Sequence, residues 1–199
     1  MSLKIQATRD VPDEVLVQLA SELPSDFEAA VDKGRMFLLA AEPPSWITFI
    51  ANLDWWQKIL GSYAAIYLAS IASAAGKETW EKKTAIVGYI KDVAKSILSA
   101  KEKSNKNTKT ELALILPGTS YEAKLHPSSE DIDSFARELA LFVSHAPDVV
   151  DVYRKNIEYG NQVVGWVQLT ALDDGGMEVK WMDGESLETV IHVLPPKSP

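Results

Sequence analysis

Eighteen consecutive residues, Ile59 to Gly76, carry no charge. A helix of that length must be buried on every side within a protein or lie in a bilayer. At about 100° per residue, Ile59, Leu60, Tyr63, Ile66, Tyr67 and Ile71 fall on a bulky side. Gly61, Ala65, Ala69 and Ala72 fall on a small one. Gly61, Ala65, Ala69 and Ser73 also repeat every fourth residue, a spacing that lets helix backbones approach closely. Trp55 and Trp56 flank one end and Trp80 the other, where the aromatic belts of a membrane span would lie. Against insertion, alanine, serine and tyrosine dilute the stretch, and the following segment carries lysines throughout. The expectation is therefore a core helix, capped by Asn52, with Asp54 in its first turn and Gly76 at its end. A Gly61→Leu substitution is expected to overpack it by about 1–3 kcal/mol.

From Lys77 to Lys103 the chain is helical again. Ile86, Ile90, Val93, Ile97 and Ala100 follow spacings of 4, 3, 4 and 3, the seam of a paired helix. Two such helices joined near Gly76 predict an antiparallel hairpin. Polar Ser104 to Lys109 forms an exposed connection.

Outside the hairpin the pattern alternates between helix and strand. Leu3 to Thr8 reads as a strand, followed by a helix entered through Asp10-Val11-Pro12-Asp13-Glu14 and stopped by Pro24. Ser25-Asp26-Phe27-Glu28 has capping-box spacing for a short second helix closed by Gly34. Met36–Ala40 has the length and composition of a strand. Leu112–Leu116 and Tyr121–Leu125 frame Pro117-Gly118-Thr119-Ser120, a hairpin signature. A helix opens at Pro127-Ser128-Ser129-Glu130-Asp131, another begins at Pro147-Asp148, and strands follow at 162–171, 177–182 and 189–194. Asp173-Asp174-Gly175-Gly176 is the turn between the first two of these strands. The fold class is α+β: a mostly antiparallel sheet with helices packed on it and a long central helical hairpin. One domain spans 1–199, with 45–109 as a helical-hairpin subdomain and 110–199 as a C-terminal α+β part.

Net charge is −8, unevenly spread. Residues 77–109 carry nine lysines against four acids, while 110–199 carry six basic and fifteen acidic side chains. Because those lysines scatter around their helix and the remainder repels phosphate, no nucleic-acid partner is expected. The absence of cysteine removes disulfides, thiolate metal sites and a cysteine nucleophile. The N-terminal residues lack a signal-peptide pattern, and a cytoplasmic location is the expectation.

Catalytic signals are sparse. His126, His145 and His192 lie in separate elements with no metal-ligand spacing, and no GxSxG elbow or phosphate-binding loop occurs. No cofactor and no metal is expected. Whether those histidines converge with acids is a question that spacing leaves open. Six tryptophans are many for 199 residues, and Trp46, Trp55 and Trp56 crowd a proline-bounded corner. Trp55 and Trp56 point about 100° apart on a helix, which leaves one available for contact. The expected function is that of a soluble, non-enzymatic protein acting through protein–protein contact or self-association, as an adaptor, inhibitor or accessory subunit. A hydrolase with a site assembled from scattered residues is the alternative. A membrane-active protein inserting the central hairpin is the third.

Overall fold

The computed structural model describes residues 3–24, 29–33, 45–52, 61, 63–65, 67–68, 80–104, 108–115, 122–156 and 167–197. Eight strands form one mixed sheet: β1 (Leu3–Ala7), β2 (Ala29–Asp32), β3 (Trp46–Asn52), β4 (Lys109–Ile115), β5 (Glu122–Leu125), β6 (Val167–Ala171), β7 (Met177–Met182) and β8 (Thr189–Leu194). Their order is β2-β1-β3-β4-β5-β6-β7-β8. Helices α1 (Asp13–Glu22), α2 (Trp80–Ser104) and α3 (Ile132–Asn156) run between strands. Three pairs are parallel, β1/β2, β3/β4 and β5/β6, and four are antiparallel. Each parallel pair is separated in sequence by a helix, because a parallel partner cannot be reached by a tight turn.

Strand alternation sets the layers. In β1, Leu3, Ile5 and Ala7 are buried while Lys4 and Gln6 are half-buried, and register carries that division across the sheet. Ile5 pairs with Phe49, Phe49 with Leu112, Leu112 with Leu125, Leu125 with Leu169 and Leu169 with Val179. This row packs against Leu16 and Leu19 of α1, Ile90, Val93 and Ile97 of α2, and Phe135, Leu139 and Phe142 of α3. Helix α2 lies between α1 and α3 and touches both. The described part of its seam, Ile90, Val93, Ile97 and Ala100, is buried throughout.

Several expectations need correction. Residues 29–32, read as part of a short helix, form β2 beside β1. Residues 46–52, assigned to the hairpin subdomain, form β3 in the middle of the sheet. Both faces of β3 are covered, since Ile47, Thr48, Phe49 and Ile50 are all buried, so it lacks the polar–apolar alternation that marks a strand. Pro147 does not start a new helix but lies inside α3. Its missing N–H leaves the Val143 carbonyl without the usual helical donor, yet Ala146, Val149 and Val150 beside it are buried in the core, and packing outweighs the lost bond. A Cβ at Gly61 would meet nothing within 4 Å among the described residues. Most of the first hairpin arm, like the 36–40 strand, lies outside the described residues; within that arm Tyr63 stacks on Tyr89 of α2, ring centroids 4.8 Å apart. Among the described residues no helix is long and apolar enough to cross a membrane.

The β6–β7 turn has tight tolerances. Gly175 takes φ of 94°, a region costly for any residue with a Cβ. Asp174 accepts the Gly176 N–H at 2.8 Å, and Arg137 of α3 donates to the Asp173 carbonyl at 2.7 Å. A Cβ on Gly176 would stand 2.7 Å from the Leu194 carbonyl oxygen. Gly176→Ala is therefore expected to push β8 outward and cost about 1–3 kcal/mol, measured as a lower urea midpoint.

Candidate functional site

On the sheet face opposite the helix-facing row, the register of β3, β4 and β5 collects polar groups. Thr48 and Glu111 are paired across β3/β4. Thr48 Oγ1 donates to Glu111 Oε1 at 2.8 Å, and Lys124 Nζ of β5 donates to the same oxygen at 2.7 Å. The Glu111 side chain is 2% exposed and that of Lys124 12%, so this ion pair is screened far less than a surface one. The other carboxylate oxygen faces His126, with Nδ1 3.7 Å away. That separation exceeds a hydrogen bond. Burial holds the His126 imidazole below its usual range; Glu111 opposes the shift, and Lys124 and Lys109 add to it.

His126 also lines a cleft of about 390 Å³ at this end of the sheet, bounded by Trp46, Lys109, Thr108, Leu98 of α2 and the loop 127–130. Pairing of Trp46 with Lys109 in the β3/β4 register places the ammonium 5.3 Å from the indole centroid, within cation–π reach. The His126 ring stands 5.8 Å from the same indole, tilted by 60°. Glu138 of α3, itself buried, fixes the loop by accepting the Ser128 N–H at 3.1 Å and the Ser128 hydroxyl. At the inner wall Thr108 is 1% exposed, and among the described residues its hydroxyl has no hydrogen-bond partner. A buried polar atom left unpaired costs free energy, so Thr108 is a locally unfavourable position in the wall behind the cleft.

The polar side chains around the cleft are largely engaged with one another. Glu111 is engaged by Thr48 and Lys124, and the Ser128 hydroxyl is directed at Glu138. A nucleophile–base–acid relay needs those hydrogen bonds turned toward the histidine. Among the described residues no three His, Asp or Glu side chains gather as a metal site. A larger cleft of about 540 Å³ between α1 and α2 has its Glu22 carboxylate occupied by Lys103.

Of the tryptophans singled out from sequence, Trp46 lines the cleft, and Trp55 and Trp56 lie outside the described residues. The histidines do not converge. His145 is buried in α3, with Nε2 3.1 Å from the Gly175 carbonyl and Nδ1 3.6 Å from Asp148; His192 is exposed on β8. Sequence reasoning missed Thr48, Thr108, Glu111 and Lys124. One signal was available: the hairpin that pairs Leu112 with Leu125 sets residue 111 opposite residue 126.

The depressed His126 predicts a pH dependence of stability. As pH falls through the ordinary imidazole value of 6.5, the unfolded chain takes up a proton that the folded imidazole resists. Stability is therefore lost over that interval. The carboxyls of Asp10, Glu22, Asp131 and Asp183 are lowered too, but they act at lower pH, below about 4.5. Urea unfolding at about pH 7.5 and 5.5 should show a smaller loss for His126→Asn than for the unaltered chain; equal losses would mean a freely solvated imidazole. No family model, curated protein or solved structure matches the chain, so the functional conclusion rests on the cleft's own chemistry.

Proposed function

We propose that this chain is a non-enzymatic cytoplasmic protein that works by contact with another protein, as an adaptor, inhibitor or accessory subunit. The cleft beside Trp46 is its contact site. One observation carries this reading: a half-buried indole lines the cleft with a lysine ammonium 5.3 Å and a histidine ring 5.8 Å from its centroid. An exposed indole edge in a concave site is the kind of anchor on which binding energy concentrates. Lys109 supplies a positive charge beside the indole, so the complementary group is a carboxylate next to an apolar side chain on a partner segment. The chain's net charge of −8 opposes an acidic partner at long range, but α2 and the start of β4 belong to the lysine-rich stretch, so attraction prevails locally. Salt should weaken the contact.

The same reading treats the chain as a single domain, with the uncharged segment and α2 as an antiparallel helical hairpin. The Tyr63–Tyr89 stack supports that pairing, because the two residues are equally distant from Gly76.

A displayed library of short random peptides selected on the full chain provides the test. Retained peptides are expected to carry Asp or Glu beside an apolar residue. Trp46→Ala should weaken them by about tenfold or more, and Lys109→Gln should weaken them with no loss of thermal stability. Equal retention by the Trp46→Ala variant would overturn the proposal. Ester hydrolysis by the unaltered chain that disappears in His126→Ala would favour the hydrolase reading instead.

A further inference from the structure

The last strand of the sheet is unusually open. Of the seven large hydrophobic side chains exposed among the described residues, four lie on or beside β8: Met182, Leu187, Ile191 and Val193. Ile191 and Val193 are more than half exposed, at 54% and 55%. Strand β8 closes the order on one side, with its six residues paired in unbroken register to β7 and its outer edge unpaired among the described residues. Sheet edges are commonly blunted by lysine, proline, a bulge or brevity. Thr189-Val190-Ile191-His192-Val193-Leu194 has none of these, and proline appears only after it, at 195. The opposite edge is defended: β2 has four residues and bears Asp32, ion-paired to Lys4 at 2.7 Å.

We infer that β8 is a pairing edge for a second copy of this chain, the two β8 strands running antiparallel about a twofold axis at His192. The register follows from the side chains. Ile191 and Val193 share the outer face, opposite Lys180 and Glu178 of β7. Pairing centred on His192 sets Ile191 of each copy against Val193 of the other, so each exposed apolar side chain meets an apolar one. Cross-strand pairs of this kind are the unit of sheet stability. Each row across the junction then begins with Lys180 of one copy and ends with Glu178 of the other. Beyond the strand, the turn carrying Glu185 and Glu188 comes against the second copy's Pro196 and Lys197. Lys197 is held in place by Asp148 at 2.8 Å and by the Ser144 carbonyl at 2.7 Å. An unrelated protein would have to provide this alternation and charge order afresh; β8 already matches itself. Paired residues of equal parity keep both helix layers on one side, giving a sheet continuous through both copies. This inference does not depend on the Trp46 cleft.

Sedimentation of the full chain tests it. The unaltered protein should show a concentration-dependent dimer at roughly tens of micromolar, within the range of small interfaces. Ile191→Lys and Val193→Lys should each raise the dimer Kd by about tenfold or more with an unchanged melting temperature, and Trp46→Ala should leave the dimer intact. Because the chain has no cysteine, His192→Cys offers a second readout that does not depend on how the lysine variants fold. Under mild oxidation it should give a covalent dimer, whereas Thr170→Cys, placed on β6, should not. A monomer at high micromolar concentration, a dimer indifferent to both lysines, or equal crosslinking at 170 and 192 would overturn the inference.

Discussion

A single buried carboxylate ties the centre of this sheet together. Glu111 accepts bonds from strands on both sides, Thr48 on β3 and Lys124 on β5. An ion pair so far removed from water adds little net stability over an apolar pair of the same shape. Its contribution is to specificity. A one-residue slip of β4 would turn Glu111 into the apolar layer beneath α2 and would set Leu112 beside Thr48 and Lys124 on the other face. The charge makes that alternative prohibitive, so the register pairing Trp46 with Lys109, and with it the shape of the cleft, follows from one side chain. Glu138 acts similarly from the helix layer. By taking both the N–H and the hydroxyl of Ser128 it sets the loop that walls the cleft.

How much of this was legible depended on whether a segment meets water on one face. Strands β1 and β7 were readable because their outward residues, such as Lys4 and Glu178, are polar and alternate with apolar ones, and β8 because a β-branched run ends at Pro195. The helix seam Ile90–Val93–Ile97–Ala100 was readable for the same reason at helical period. Strand β3 escaped because Thr48 and Ile50 are buried on the face where a polar marker would otherwise stand. Strand β2 escaped because its four residues are too few for a period, and the capping-box pattern just before it speaks for helix. Pro147 misled since a local rule about proline says nothing about the core on which Ala146 and Val149 rest. Trp46 was singled out by its type, and the fold places it on the wall of the cleft. Its companions were not, because Glu111, Lys124 and Thr108 look like ordinary strand and loop residues until register brings them together.

The end of the described chain is fastened rather than loose. Lys197 reaches α3 at Asp148 and at the Ser144 carbonyl, one turn from the proline in that helix. Gly176 passes close beneath the Leu194 carbonyl. These contacts hold the C-terminal end of β8, and the Asp183 N–H donated to the Glu188 carbonyl at 2.9 Å holds its start, so its exposed edge is presented as a rigid ladder.

The order of strands also bears on how the molecule is made. Apart from β2, which sits outside β1, the strands follow one another across the sheet in the order in which they are synthesised. Among the described strands, none must be threaded between two that have already paired. The sheet can thus widen from one side as the chain emerges, each new strand finding a finished edge. The exception in timing is β3, which must wait through the 56 residues between Asn52 and Lys109 before its parallel neighbour exists. Distant pairings of this kind are slow, because the intervening chain must be ordered before the contact repays it. During that interval β3 is an apolar strand with one edge open, and it is there that a nascent chain would need a chaperone's protection.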